Sequence, residues 1–213
     1  MSEMRRAVPA LVAVLALAVP AGAAAQVAPP LVAPTPSIAL GKPWHGRLVG
    51  GVELPAAGPG FRTWDAILRR RPNRPWRRWG TDALVGLLER VAFAFRVAHP
   101  YAAPLLVEDL SRPHGGSFDE RWGGLGHSSH QNGLDADVAY PRWDGLWRAP
   151  ARPWQVDRVL AQELVDRFVA AGAEKIFVGP HVGLRGPPRI VRKLVYHDDH
   201  LHVRIPNPAG FYG

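Results

Sequence analysis

The 213-residue chain contains no cysteine. That excludes a disulfide framework, CxxC redox chemistry and any thiolate metal site, so the fold must hold without covalent staples. Lysine is scarce: Lys42, Lys175 and Lys193 stand against 23 arginines, and the net charge is +8. An arginine skew of this kind reflects composition bias more than a nucleic-acid surface, yet the balance favours acidic partners. After residue 25 no apolar run is long enough to span a bilayer. There is no HExxH helix and no GxSxG elbow, which removes the zincin and serine-elbow arrangements. The late His-x-His is not followed by a glutamate at cupin-like spacing.

What is present describes an exported globular domain. Hydrophobic residues make up 47% and charged residues 21%, an ordinary balance for a chain that buries a core, and 22 Gly with 22 Pro imply many loops. Residues 1–25 carry Arg5 and Arg6, an Ala/Val/Leu-rich stretch, and Ala23-Ala24-Ala25, the pattern of a secretory signal peptide rather than an anchor. Residues 26–37 form a Pro/Ala-rich linker, and residues 38–213 the folded domain. The mature protein is therefore expected in the periplasm or elsewhere in the bacterial cell envelope, with no membrane span.

Two helices are expected. The first covers Thr81–His99, with Thr81 or Asp82 as cap and an apolar stripe running from Leu84 to Val97 or Ala98. The second covers Trp154–Ala171, with Val156, Val159, Leu160, Leu164, Phe168 and Val169 inward and Gly172 as the stop. Strands are expected at 105–108, 135–139, 175–179 and 201–205, with another within 190–196. The order gives an α+β fold, a small mostly antiparallel sheet flanked by helices.

Five of the nine histidines fall in two windows: His127 and His130 in one, His197, His200 and His202 in the other. Histidines clustered beside carboxylates are what a metal site needs in a chain without thiolates. Gly133 allows a sharp turn, and a strand from Leu134 places Asp135 and Asp137 on one face. His130 and Asp137 are the favoured pair to meet at an ion. In the second window His200 and His202 share one strand face, while Leu201, Val203 and Ile205 share the other.

Ser129–Asp137 (SHQNGLDAD) together with His197–Ile205 (HDDHLHVRI) resembles the penicillin-insensitive murein endopeptidase family, within the group of lysostaphin-type enzymes, D-Ala-D-Ala metallopeptidases and the sonic hedgehog domain. The group pattern S-x-H-x6-D, then a distant H-x-H, matches Ser128, His130, Asp137, His200 and His202. Residues 50–55, 105–116 and 175–179 resemble the family as well. The resemblance implies a hedgehog/D-Ala-D-Ala-peptidase-like fold and one Zn2+ per chain on His130, Asp137 and His202. It implies further that His200 and His197 are active-site histidines and that the substrate is the peptidoglycan crosslinking peptide, of D-alanyl-diaminopimelate type. His127, Asp135, Arg112 and Ser128 are candidates for supporting ligands or touching substrate; the family often has Arg-Gly-Gly where this chain has His114-Gly115-Gly116, and Arg112 is the candidate replacement cation. Three protein ligands leave an open zinc position for hydrolysis. The sequence leaves open whether His197 or His200 is the general base, and whether Asp135, Asp198 and Asp199 orient histidines or are solvated.

Two other functions fit the same motifs: a D,D-carboxypeptidase or dipeptidase acting at a free peptide end, and a non-catalytic metal-containing wall-binding domain. Bond specificity, D,D or L,D, and oligomeric state are not set by the sequence. The segment Arg69–Trp79 has six Arg and two Trp in eleven residues. It reads as a solvated loop or as a contact for an anionic wall polymer; export argues against nucleic acid.

Overall fold

The computed structural model describes residues 37–118 and 127–210. The expected signal peptide and nearly all of the expected linker lie outside the described residues. A hairpin, β1 (Ile38–Lys42) and β2 (His45–Val49), opens the fold. Then come β3 (Val52–Glu53), β4 (Ala57–Gly58), β5 (Phe61–Thr63), β6 (Trp79–Gly80), α1 (Asp82–Ala98), β7 (Leu105–Val107) and β8 (Asp135–Ala139). The chain ends with α2 (Arg158–Ala170), β9 (Lys175–Val178), β10 (Val191–Lys193) and β11 (His200–Arg204). One seven-stranded sheet, ordered β10-β9-β11-β8-β7-β5-β4, carries the molecule, and β3 pairs with β6 apart from it. Four of its six pairings are antiparallel and two, β10–β9 and β5–β7, are parallel. The α+β class expected from the element order is the class observed.

Alternation gives the sheet two different faces. Val107, Ala136, Val138, Ile176, Leu201 and Val203 point one way into a core shared with Leu84, Leu88 and Phe95 of α1 and with Leu164 and Phe168 of α2. Both helices thus cover one face. The other face carries polar residues of the same strands together with a second, smaller apolar cluster that includes Leu106 and Ala139. His200 pairs with Ala139, Ala139 with Leu106, and Leu106 with Arg62, so these four stand in one row across β11, β8, β7 and β5.

The first helix starts where its cap dictates: Thr81 is extended, and its hydroxyl accepts from the Leu84 amide at 3.2 Å. The same hydroxyl donates to the Gly133 carbonyl at 3.2 Å, tying the helix to the loop before β8. Thr81→Ala is expected to cost about 1–2 kcal/mol, read as a lower denaturant midpoint at constant slope. The apolar stripe stops at Phe95; Val97 is 64% exposed, because the last turn runs past the sheet. The second helix begins at Arg158, four residues later than expected. Pro153–Gln155 forms a 3-10 turn, and Asp157 caps the helix by accepting from Val159 and Leu160 amides at 3.1 and 3.0 Å. Val159 is consequently solvent-facing, at 78% exposure, instead of core. Gly172 follows the helix at φ +89°, the left-handed stop that a glycine permits.

The β1–β2 hairpin braces the loop that carries the first histidine window. The Gln131 amide donates to the Pro43 carbonyl at 2.9 Å, and Asn132 Nδ2 to the Gly41 carbonyl at 3.1 Å.

Candidate metal centre

Both histidine windows meet on the helix-free face of the sheet. β8 and β11 are antiparallel neighbours with His202 opposite Asp137. His130 arrives from the preceding loop with φ +70°, a left-handed conformation that a non-glycine residue adopts only where its surroundings impose it. Gly133, at φ +76°, makes the return into β8; a Cβ there would lie 2.9 Å from Leu48 and 3.1 Å from the Thr81 amide. The His130 amide points at Asp135 Oδ2 at 3.3 Å, and its ring is fully buried.

Hydrogen bonds fix the tautomers at the centre. His130 Nδ1 lies 2.8 Å from the Leu110 carbonyl, which only accepts, so Nδ1 holds the proton and Nε2 a lone pair. His202 Nε2 lies 2.8 Å from Asp135 Oδ1, a carboxylate also bound by Arg204 Nε at 2.7 Å. The His202 Nε2 proton points there, which turns Nδ1 inward. His130 Nε2, His202 Nδ1 and Asp137 Oδ1 then form a triangle with sides of 3.1, 3.0 and 3.4 Å. Three acceptor atoms this close need positive charge between them, either a second proton on His202 or a cation. Ligand atoms in a tetrahedral zinc site with bonds of about 2.0–2.1 Å sit about 3.3 Å apart. The donor set, two imidazoles and a carboxylate oxygen, and its spacing fit such an ion.

The charges follow the same logic. Burial penalises ionised Asp137, but His130, His200 and His127 outweigh it and hold the carboxyl well below the usual range. Asp135 is likewise kept ionised against burial, by His202, His130 and Arg204. Burial pushes His130 down, against the opposing pull of Asp137. Burial also opposes charge on His202, yet its bonds to Asp135 and Asp137 raise it to about 9. His200 is raised to about 10, against burial, by Asp137, Asp199 and Glu108. Glu108 behind the cluster is pushed up by burial and by Asp199, Asp137 and Asp109.

The remaining candidates divide clearly. His200 reaches Asp137 Oδ1 at 3.8 Å through Nε2, and Asp199 Oδ1 at 2.7 Å through Nδ1. His197 Nδ1 donates to the Val195 carbonyl at 2.8 Å, and its ring centroid lies 4.8 Å from that of His200. Tyr140 steadies this loop by donating to the His197 carbonyl at 3.1 Å. Asp135 and Asp199 each orient a histidine, whereas Asp198 is taken by His181 at 2.7 Å. Ser128 lines the cleft. Arg112 instead binds the carbonyls of Gly115 and Ser117, at 2.9 and 2.7 Å, and is absent from the cleft lining.

His127 sits closer to the centre than its motif position alone conveys. Its Nδ1 is 3.5 Å from Asp137 Oδ2, so His127, His130 and Asp137 form a second possible ligand triad sharing two members with the first. Its Nε2 is 2.8 Å from Asp109 Oδ2. Asp109 is in turn clasped by Arg77, through Nε at 2.6 Å to Oδ1 and through Nη2 to Oδ2. Arg77 is 1% exposed and packs on Trp76 and Phe118. Neither Arg77 nor Asp109 stood out in the sequence: one was a member of an arginine run, the other followed a short strand. The only hint was an acid two residues after β7, the strand paired with β8.

Around the centre lies a cleft of about 1020 Å³, lined among others by Trp44, Leu194, Val195 and Tyr196. Trp44 and Tyr196 are 54% and 91% exposed, so the lining presents apolar surface to whatever enters. Among the described residues, no helix is long and apolar enough to cross a membrane.

Comparison with known proteins agrees with the motif resemblance. Residues 39–167 match the family model of penicillin-insensitive murein endopeptidase. Curated proteins carrying that name are similar to the chain: one from Klebsiella pneumoniae subsp. pneumoniae at 28% identity, over 78% of this chain and 65% of that protein. Another, from Haemophilus influenzae, is 26% identical over 80% of the chain and 64% of the relative. A third, from Escherichia coli SE11, is 27% identical over 92% and 78%. The chain thus spans just under two thirds of the length of the first two relatives.

Proposed function

Because the chain belongs to the penicillin-insensitive murein endopeptidase family, we propose that it is an exported metal-dependent hydrolase of peptidoglycan crosslinks, of D-alanyl-diaminopimelate type. The observation that carries this is the convergence of His130 Nε2, Asp137 Oδ1 and His202 Nδ1, with the outer nitrogens of both rings already engaged. These three residues would hold one Zn2+, and His127 borders it. Bound there, the ion supplies Lewis acidity toward water and toward a peptide carbonyl.

The protein's own groups do the rest. The Leu110 carbonyl and Asp135 lock the two ligand imidazoles in orientation. His197, its Nδ1 proton spent on Val195, offers an unprotonated Nε2 to the cleft and accepts a proton from the attacking water. His200, backed by Asp199 and facing Asp137, is stabilised as a cation and returns a proton to the leaving amine. Trp44 and the 194–196 wall exclude water from the flanks of the bound peptide. The net charge of +8 suits an acidic stem peptide.

The test is hydrolysis of a defined crosslinked muropeptide dimer, with product masses. Two monomers of stem peptide are the expected products, with no reaction after chelation and activity restored by zinc. Release of a terminal D-alanine alone would mark a carboxypeptidase. Tight binding without cleavage would mark a wall-binding module.

A further inference from the structure

The arginine-rich segment separates into two halves with different duties. Arg74, Arg77 and Arg78 are spent inside the fold, on Asp65, Asp109 and Glu53. Arg69, Arg70 and Arg71 are exposed, and no carboxylate among the described residues pairs with them. They line a cleft of about 620 Å³ with Arg62 and Trp147, and among the described residues no acidic side chain lines it.

This cleft is built, not incidental. Asp65, wholly buried, closes the turn: its backbone exchanges bonds with Arg70 at 2.8 and 3.3 Å, and its carboxylate accepts from the Ile67 and Leu68 amides. Arg74 neutralises that carboxylate at 2.6 Å, so Asp65 offers the exposed arginines no compensation. Arg69 is held at φ +51°, the left-handed region. Arg62 is fixed by the carbonyls of Phe61 and Gly58, at 2.8 and 3.2 Å. Arg71 lies 5.2 Å over the Trp147 ring, and Trp147 is 46% exposed. Four guanidinium groups around one cleft repel each other, and an anion relieves that repulsion.

Position gives the cleft its meaning. Arg62 stands in the same cross-sheet row as His200, on the same face, three strands away. At about 4.8 Å per strand this is about 14 Å, backbone to backbone, from His200 beside the metal centre. We propose that the Arg62/Arg69/Arg70/Arg71/Trp147 cleft is a distal subsite that binds carboxylates of a neighbouring peptide on the same polymeric substrate. Guanidinium groups suit carboxylates through paired N–H donors, and Trp147 offers an apolar platform beside them. The proposal rests on the hydrolase reading for the identity of the polymer.

The test is cosedimentation of the full mature chain with purified sacculi, which needs no turnover. Arg69→Gln/Arg70→Gln/Arg71→Gln should bind sacculi about tenfold more weakly than wild type, with an unchanged melting temperature. Trp147→Ala should weaken binding as well. Arg192→Gln/Lys193→Gln, exposed cations on the opposite edge strand, should stay within about twofold of wild type. Glycan strands stripped of their peptides should not be retained. Wild-type affinity in the triple variant, or equal binding of bare glycan strands, would overturn the subsite. Arginine-dependent binding by a chain that cleaves nothing would sink the hydrolase reading and leave the anionic subsite standing.

Discussion

His202→Ala is expected to leave the protein folded, free of stoichiometric zinc, and about a thousandfold or more slower on a crosslinked dimer, the scale of losing several kcal/mol of Lewis-acid stabilisation. His202 Nδ1 is the apex of the acceptor triangle, 3.0 Å from Asp137 and 3.1 Å from His130. If His127 is no ligand, removing His202 leaves two, too few for a stable site. His127→Ala discriminates between the two overlapping triads. His127 Nδ1 stands farther out, 3.5 Å from the other oxygen of Asp137, and its Nε2 is occupied by Asp109. That variant should keep its zinc. Elemental analysis of both proteins after gel filtration, beside their rates, decides the matter: zinc lost from the His127 variant and kept by the His202 variant reverses the ligand assignment.

The second large effect concerns stability. Arg77→Leu should cost about 3–5 kcal/mol, because it strands a buried carboxylate without its cation. For a domain of this size that lowers the melting temperature by about 6–20 °C. Asp109 is 3% exposed and has three cationic or polar partners, Arg77, His127 and Asn73, whose Nδ2 donates to it at 2.9 Å. Burial alone would raise its pKa; the Arg77 and His127 hydrogen bonds more than reverse that and hold it below the ordinary 3.8. A depressed folded-state pKa stabilises the protein above the unfolded value and is lost as pH falls through the folded one. Wild-type stability should therefore drop as pH falls below about 4, and Arg77→Leu should flatten that acid limb. The Arg77/Asp109 double change to leucine and asparagine should recover part of the loss, since it removes the stranded charge. A melting temperature within a degree or so of wild type in Arg77→Leu would contradict the pair's role.

Local chemistry was legible where it was strongly patterned. The first helix begins at the threonine whose hydroxyl caps it, and β8 occupies residues 135–139 as its alternation requires. β11 is displaced by one residue, and Leu201, Val203 and Ile205 face the core as expected. Both histidine windows share one site because β8 and β11 are sheet neighbours, a fact that spacing suggests but only pairing supplies. The β1–β2 hairpin was not legible: its ten strand residues bury only Ala39 and Leu48, so no apolar period marks it. Arg77 was not legible either. Nothing local separates it from Arg69–Arg71; only a partner thirty-two residues away, Asp109, draws it inside.

The central claim is that His130, Asp137 and His202 share one metal ion. Zinc-edge anomalous diffraction from zinc-loaded crystals tests it most directly. One strong peak within bonding reach of His130 Nε2, Asp137 Oδ1 and His202 Nδ1 is the expected result. A peak elsewhere on the molecule, or a fully ordered site with no anomalous signal at stoichiometric zinc, would contradict it.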